Sequence, residues 1–128
     1  MNLNFDETNI QEELENIGEQ QTQLFTGGLP AQLPDKVQNF TTGLSEALRI
    51  YGDIRQRLGA AIEMKDVIGA KKAVEDAKFF LEDTVAFLKA SSGVDDFRKN
   101  SYIWAKKHCS PEAAASMGVT DGTPDDYQ

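Results

Sequence analysis

The chain has one cysteine and one histidine, and these two scarcities remove most familiar chemistry. A lone Cys109 excludes an intramolecular disulfide, so the fold does not rest on an oxidising compartment. With His108 alone, a His-rich metal centre is impossible. The adjacent pair His108-Cys109 falls short of the roughly four ligands, in spaced pairs, that structural zinc takes. The Glu-x-x-His pairs of a di-iron bundle are missing for the same reason. As nucleophile and base the two are badly placed, because neighbours on a helix point about 100° apart. The structural reading is that His108 offsets a helix C-terminus and Cys109 is a half-buried thiol. No glycine string resembles a phosphate loop, since Gly27-Gly28 runs into Leu29-Pro30 rather than Gly-Lys-Ser/Thr.

Long apolar runs are missing too. None approaches the ~18 residues needed to span a bilayer. The opening MNLNFDETNI has neither the basic nor the apolar region of a secretion signal. The expectation is a cytoplasmic protein without membrane association, or one of host cytoplasm or virus particle if the source is viral. In that setting the sequon Asn39-Phe40-Thr41 reads as chance.

Basic residues are absent from the first 35 positions, which carry Asp6, Glu7, Glu12, Glu13, Glu15, Glu19 and Asp35. All 13 lysines and arginines lie between residues 36 and 107, and Glu112, Asp121, Asp125 and Asp126 follow. The net charge of −8 opposes binding to nucleic acid or anionic membranes, so direct nucleic-acid contact is not expected.

What is present is helical periodicity. Thr8 to Gln11 forms a capping box, and Ile10, Leu14, Ile17 and Leu24 share a stripe interrupted by Gln21, which predicts a first helix over about 8–25. Thr26 to Pro34, with two glycines and two prolines, reads as a linker. Val37, Phe40, Leu44, Ala47, Tyr51, Ile54, Leu58 and Ala61 alternate spacings of three and four, predicting a second helix from Asp35 of about 28 residues. The register slips near Glu63–Asp66. A new frame runs through Val67, Ala70, Val74, Ala77, Leu81, Thr84 and Leu88, with Phe80 and Phe87 flanking it, and ends near Ala90, where Gly93 suits a cap. The two helices make either an antiparallel hairpin or one rod with a stutter. A fourth helix fits Asp95–Cys109. Ser110-Pro111-Glu112 starts a short fifth that Gly118 closes.

The fold class expected is therefore all-α. It comprises a tethered acidic helix with its linker (1–34), a helical core domain (35–118) built on a long antiparallel hairpin, and a disordered acidic tail (119–128). Gly52 and Gly59, seven apart inside a good helix, suit either close approach of another helix or plain tolerance, as does Gly43. Glu75, Asp76, Glu82 and Asp83 fall opposite the third helix's apolar seam and read as a solvated charged face.

Two segments read as partner surfaces. The first helix offers Glu12, Glu13 and Glu15 on a narrow, acidic, tethered element that docks either within the chain or onto a neighbour. The fourth interleaves Arg98, Lys99, Lys106 and Lys107 with Tyr102 and Ile103, the composition of interface anchors. Phe97 and Trp104, seven apart, form the stripe that faces the core, leaving Tyr102 and Ile103 exposed. No catalytic or cofactor-binding residue is identified. The reading is a non-enzymatic structural or assembly protein that associates with itself or a larger complex. The alternative is an acidic inhibitor or regulator that occupies a basic site on another protein. In texture the chain resembles small helical accessory proteins of virus particles, a resemblance that no motif carries.

Overall fold

The computed structural model describes residues 7–26 and 41–128. These form five helices: α1 (Glu7–Thr26), α2 (Thr41–Glu63), α3 (Val67–Ala90), α4 (Val94–His108) and α5 (Pro111–Met117). No strand occurs among the described residues. The protein is all-α, as the three-four spacing requires. The expected linker after Thr26 and the expected start of the second helix at Asp35 lie outside the described residues.

Local chemistry sets the breaks. After Glu63 the chain turns through Lys65, which adopts a positive φ of 56°. Asp66 then caps α3, its side chain accepting from the Gly69 amide at 2.9 Å. A Cβ on Gly69 would stand 2.3 Å from that carboxylate, so glycine is what lets the cap close. Ser91 caps the end of α3, and Gly93 is instead the first residue of the next cap. Ser110 caps α5, and Gly118 ends it in the left-handed region at φ 113°.

α3 is the central element, packing against α1, α2 and α4, while α5 sits on α4 and touches α2. α2 runs back along α3: the Tyr51 hydroxyl donates to the Ala77 carbonyl, and Arg57 pairs with Asp76 at 2.7 Å. The core gathers Ala47, Tyr51, Ile54 and Leu58 of α2 with Ala70, Ala73, Ala77, Phe80 and Phe87 of α3, and Phe97 and Trp104 of α4. Phe80 and Phe87, expected at the flanks, lie within it. A Cβ on Gly52 or Gly59 would meet nothing within 4 Å, so no helix among the described residues approaches there. The close approach is at Gly18, where a Cβ would stand 3.6 Å from the Tyr51 ring.

Of the two placements open to the first helix, the structure shows the one within the chain: Leu14, Ile17, Gln21 and Phe25 of α1 are buried in the bundle, as its apolar stripe directs. One expectation is corrected. Residues 119–128 do not form a disordered tail. Val119 and Tyr127 pack against the core, Lys106 Nζ donates to the Thr123 carbonyl at 2.8 Å, and the Gln128 amide donates to Asn100 Oδ1 at 3.0 Å. An acidic segment that carries one tyrosine and follows a lysine-rich helix end has partners to hold it.

Because Leu14 is a core side chain, Leu14→Ala is expected to lower stability by about 2–5 kcal/mol. Urea denaturation measures this, and an unchanged midpoint would place α1 outside the core.

Candidate functional site

α4 begins with Asp95 and Asp96 and ends with Lys106, Lys107 and His108, the charge order its dipole favours. The surface expected on it divides. Ile103 is 0% exposed and is not a contact residue, which corrects the expectation. α4 is covered on two sides, by α3 on one and by α5 and the following segment on the other, so burial is not limited to a single stripe. Tyr102 is half-buried beneath Gly118, where a Cβ would come within 2.9 Å of the ring. Lys106 pairs with Asp125 at 2.8 Å, and Lys107 lies 4.3 Å over the Tyr127 ring. Arg98 and Lys99 stand exposed, with no ion pair among the described residues.

Asp83 departs from the solvated face expected of it. Its side chain is 13% exposed, and its Oδ2 receives His108 Nε2 at 2.6 Å and the Tyr127 hydroxyl, with Lys107 Nζ at 3.6 Å from Oδ1. Burial opposes its ionisation, but the hydrogen bonds from Tyr127 and His108 and the nearby cation outweigh burial, holding the carboxyl below the ordinary range. Burial likewise pushes His108 down, only partly offset by the Asp83 bond. The contact is therefore a neutral imidazole N–H donating to a carboxylate at neutral pH. The Tyr127 hydroxyl is pushed up by burial and by the carboxylate it serves. Cys109, the next residue, has its thiol pushed up to about 12 by burial, with Glu46 adding to it, so it carries no thiolate at neutral pH. These groups fasten the chain's last described segment to α3. The histidine's neighbourhood is a clasp.

The acids of α1 are partly engaged within the chain. Glu13 pairs with Lys78 at 2.6 Å and Glu15 with Arg55 at 2.8 Å, all four side chains being well exposed. Pairs this exposed to solvent contribute little to stability. Glu12 is exposed and makes no ion pair among the described residues. Between α1 and α2 runs an open groove of about 360 Å³, lined by Glu15, Gly18, Glu19, Gln21, Leu48 and Tyr51. Gln21, 1% exposed, donates to Thr84 Oγ1 at 3.0 Å, while its Oε1 has no partner among the described residues. No group of three potential metal ligands occurs among the described residues, and no helix there is long and apolar enough to cross a membrane.

Sequence reasoning missed both buried polar networks. For Gln21 the signal was visible: a polar residue on an otherwise apolar stripe marks a buried side chain with a partner. For Asp83 the helical wheel pointed outward, and only the return of Tyr127 across α3 covers it. No known protein family matches this chain, nor does any curated protein or solved structure.

The signs of the two shifts agree. A group whose folded pKa is depressed supports the fold above its ordinary value and loses that support as pH falls. Stability is therefore expected to be level between about pH 6.5, the ordinary histidine value, and about pH 8, to decline below that window as His108 resists protonation, and to fall again in the acid range of Asp83. Thermal unfolding from about pH 8 to about pH 5 measures the first step. Since His108 is the only histidine, His108→Gln should flatten it, and a slope unchanged in that variant would remove His108 from the clasp.

Proposed function

We propose that the protein is a non-enzymatic structural or assembly component, which associates through helical surfaces with itself or with a larger complex. One observation carries this reading. The bundle buries its aromatic core, yet Ile68 is 82% exposed, Met64 79% and Phe79 63%. Ile68 and Phe79 are eleven residues apart on α3, three helical turns, and so stand in line about 16 Å from each other. Large apolar side chains aligned on a helix face are the anchors that helix–helix interfaces use. Burying each contributes about 1.5–3 kcal/mol. Association itself costs roughly 4–15 kcal/mol, so a few such anchors support reversible rather than permanent assembly. The double change Ile68→Ser with Phe79→Ser is therefore expected to reduce association about tenfold or more, with little change in melting temperature. Sedimentation over a range of concentrations measures it, and association unaffected by the double change would discard this surface.

A second reading, an acidic regulator that occupies a basic site on another protein, is favoured by the groove between α1 and α2. Glu15 and Glu19 stand on its rim. A lysine side chain would lay its stem on Leu48 and Tyr51 and bring its ammonium to those acceptors. Calorimetric titration with a tetralysine peptide should give binding that weakens with salt and is lost in Glu19→Gln. Binding indifferent to Glu19 would mean general charge attraction and would discard the groove as a site.

A further inference from the structure

We propose that a second copy of this chain covers the outer face of α3, running antiparallel to the first about a two-fold axis between Ala73 and Val74. The proposal rests on the assembly reading and names its partner. The inner face of α3 is occupied by Ala70, Ala73, Ala77, Phe80, Thr84 and Phe87, all buried. Opposite them Ile68, Lys72, Glu75, Phe79 and Glu82 are all exposed. At 3.6 residues per turn these five fall within about 80° of arc, one continuous ridge. Its flanks are engaged within the chain, by Lys78 with Glu13 of α1 on one side and Asp76 with Arg57 of α2 on the other. No helix among the described residues packs over the ridge itself.

The order of residues along that ridge is self-complementary. Antiparallel pairing about the stated axis sets Ile68 level with Phe79 of the second copy and Lys72 level with Glu75 of the second copy. Each of these level pairs is either apolar with apolar or cation with anion, and each occurs twice because the contact is isologous. Residues at one level stand on opposite sides of the seam, so their side chains interdigitate as in antiparallel helix packing. A parallel pair in register would set Lys72 against Lys72 and Glu75 against Glu75, repelling at both levels. A strongly charged partner of either sign fares no better, since the ridge and its borders mix cations and anions evenly. An anionic lipid surface would meet Glu75 and Glu82. Charge order thus selects a second copy, and selects its direction.

Reversal of single charges tests the register directly in the full chain. Lys72→Glu places two glutamates level with each other on both sides of the two-fold axis, and Glu75→Lys places two lysines there. Each variant alone is expected to associate at least about tenfold more weakly than the natural chain, with an unchanged circular dichroism melt because both positions are exposed. An equimolar mixture of the two variants should recover a heterodimer of near-natural affinity, since the level pairs are complementary again. The chain carrying both changes should recover as well. Sedimentation equilibrium reads all four. Variants that associate as the natural chain does, or a mixture that stays monomeric while the natural chain pairs, would overturn the antiparallel register. If Ile68→Ser with Phe79→Ser still weakened association in that event, the assembly reading would stand without this geometry. A natural chain that stays monomeric at every concentration would overturn the second copy as occupant and leave only docking onto a larger complex.

Discussion

One hydroxyl ties the bundle together. Thr84, fully buried on α3, accepts from Gln21 Nε2 of α1 and from Trp104 Nε1 of α4, each at 3.0 Å, and donates to the Phe80 carbonyl at 2.9 Å. A hydroxyl has one proton and two acceptor positions, and all three are used. The indole can only donate, so Thr84 must accept from it. With its proton committed to Phe80, Thr84 must accept from Gln21 too, and this orients the Gln21 amide. Its oxygen is then left unpartnered, a cost of about 1–3 kcal/mol that the rest of the site must outweigh. The aromatic core forms around the same point. Phe25 meets Trp104 edge to face at 5.6 Å, and Phe80 stacks on it at 5.7 Å. If α1 left, Thr84 would lose a donor and Trp104 would lose a ring neighbour. The position of α1 therefore follows from core chemistry, whatever the character of the chain that leads out of it.

Asp83 and Thr84 are neighbours about 100° apart on the helix, and that angle divides the labour of α3. Thr84 points to the junction of α1 and α4. Asp83 points to the rim, where His108 and Tyr127 close over it and the Tyr127 ring lies on Phe87 at 6.0 Å. Both groups satisfy buried polar atoms with partners from distant parts of the chain, and partly buried networks of this sort fix a single arrangement more than they add stability. Ser110 repeats the device on a smaller scale: it caps α5 and donates to Glu46 of α2 at 3.2 Å.

Periodicity made the helices legible. The seam from Leu44 to Ala61, the break at Glu63–Asp66 and the Ser110-to-Gly118 frame of α5 all follow from local spacing and capping chemistry, which one sequence carries. Trp104 was legible as core because it stands seven residues from Phe97. What local spacing cannot carry is the second partner of an element. Ile103 lies off the stripe that faces α3 and is buried because α4 is covered again from its other side. Asp83 lies on a polar wheel face and is covered because the chain returns 44 residues later. Glu13 and Glu15 read as a free acidic surface because Lys78 and Arg55 are 40 or more positions away. In each case the deciding contact is long-range, and the apolar stripe of a helix marks only the first face it buries.

The same reasoning bears on the face that the monomer leaves uncovered. α3 meets α1, α2 and α4, and each contact has left a mark on its sequence: alanines where helices crowd, Thr84 where donors converge, Asp83 where the rim closes. Apart from the His108 ring at the edge of Phe79, no helix among the described residues packs on the outer ridge, yet it is not the uniform lysine and glutamate surface that helix propensity and hydration alone would favour. It keeps Ile68 and Phe79, both large and both exposed to water, and it orders Lys72 and Glu75 between them. Within one copy the Lys72 ammonium has only a 3.6 Å contact with Asp76 to recommend its position, a pair too exposed to contribute much. The described residues account for three sides of its central helix, and the composition of the fourth side is what the proposed antiparallel contact with a second copy would explain.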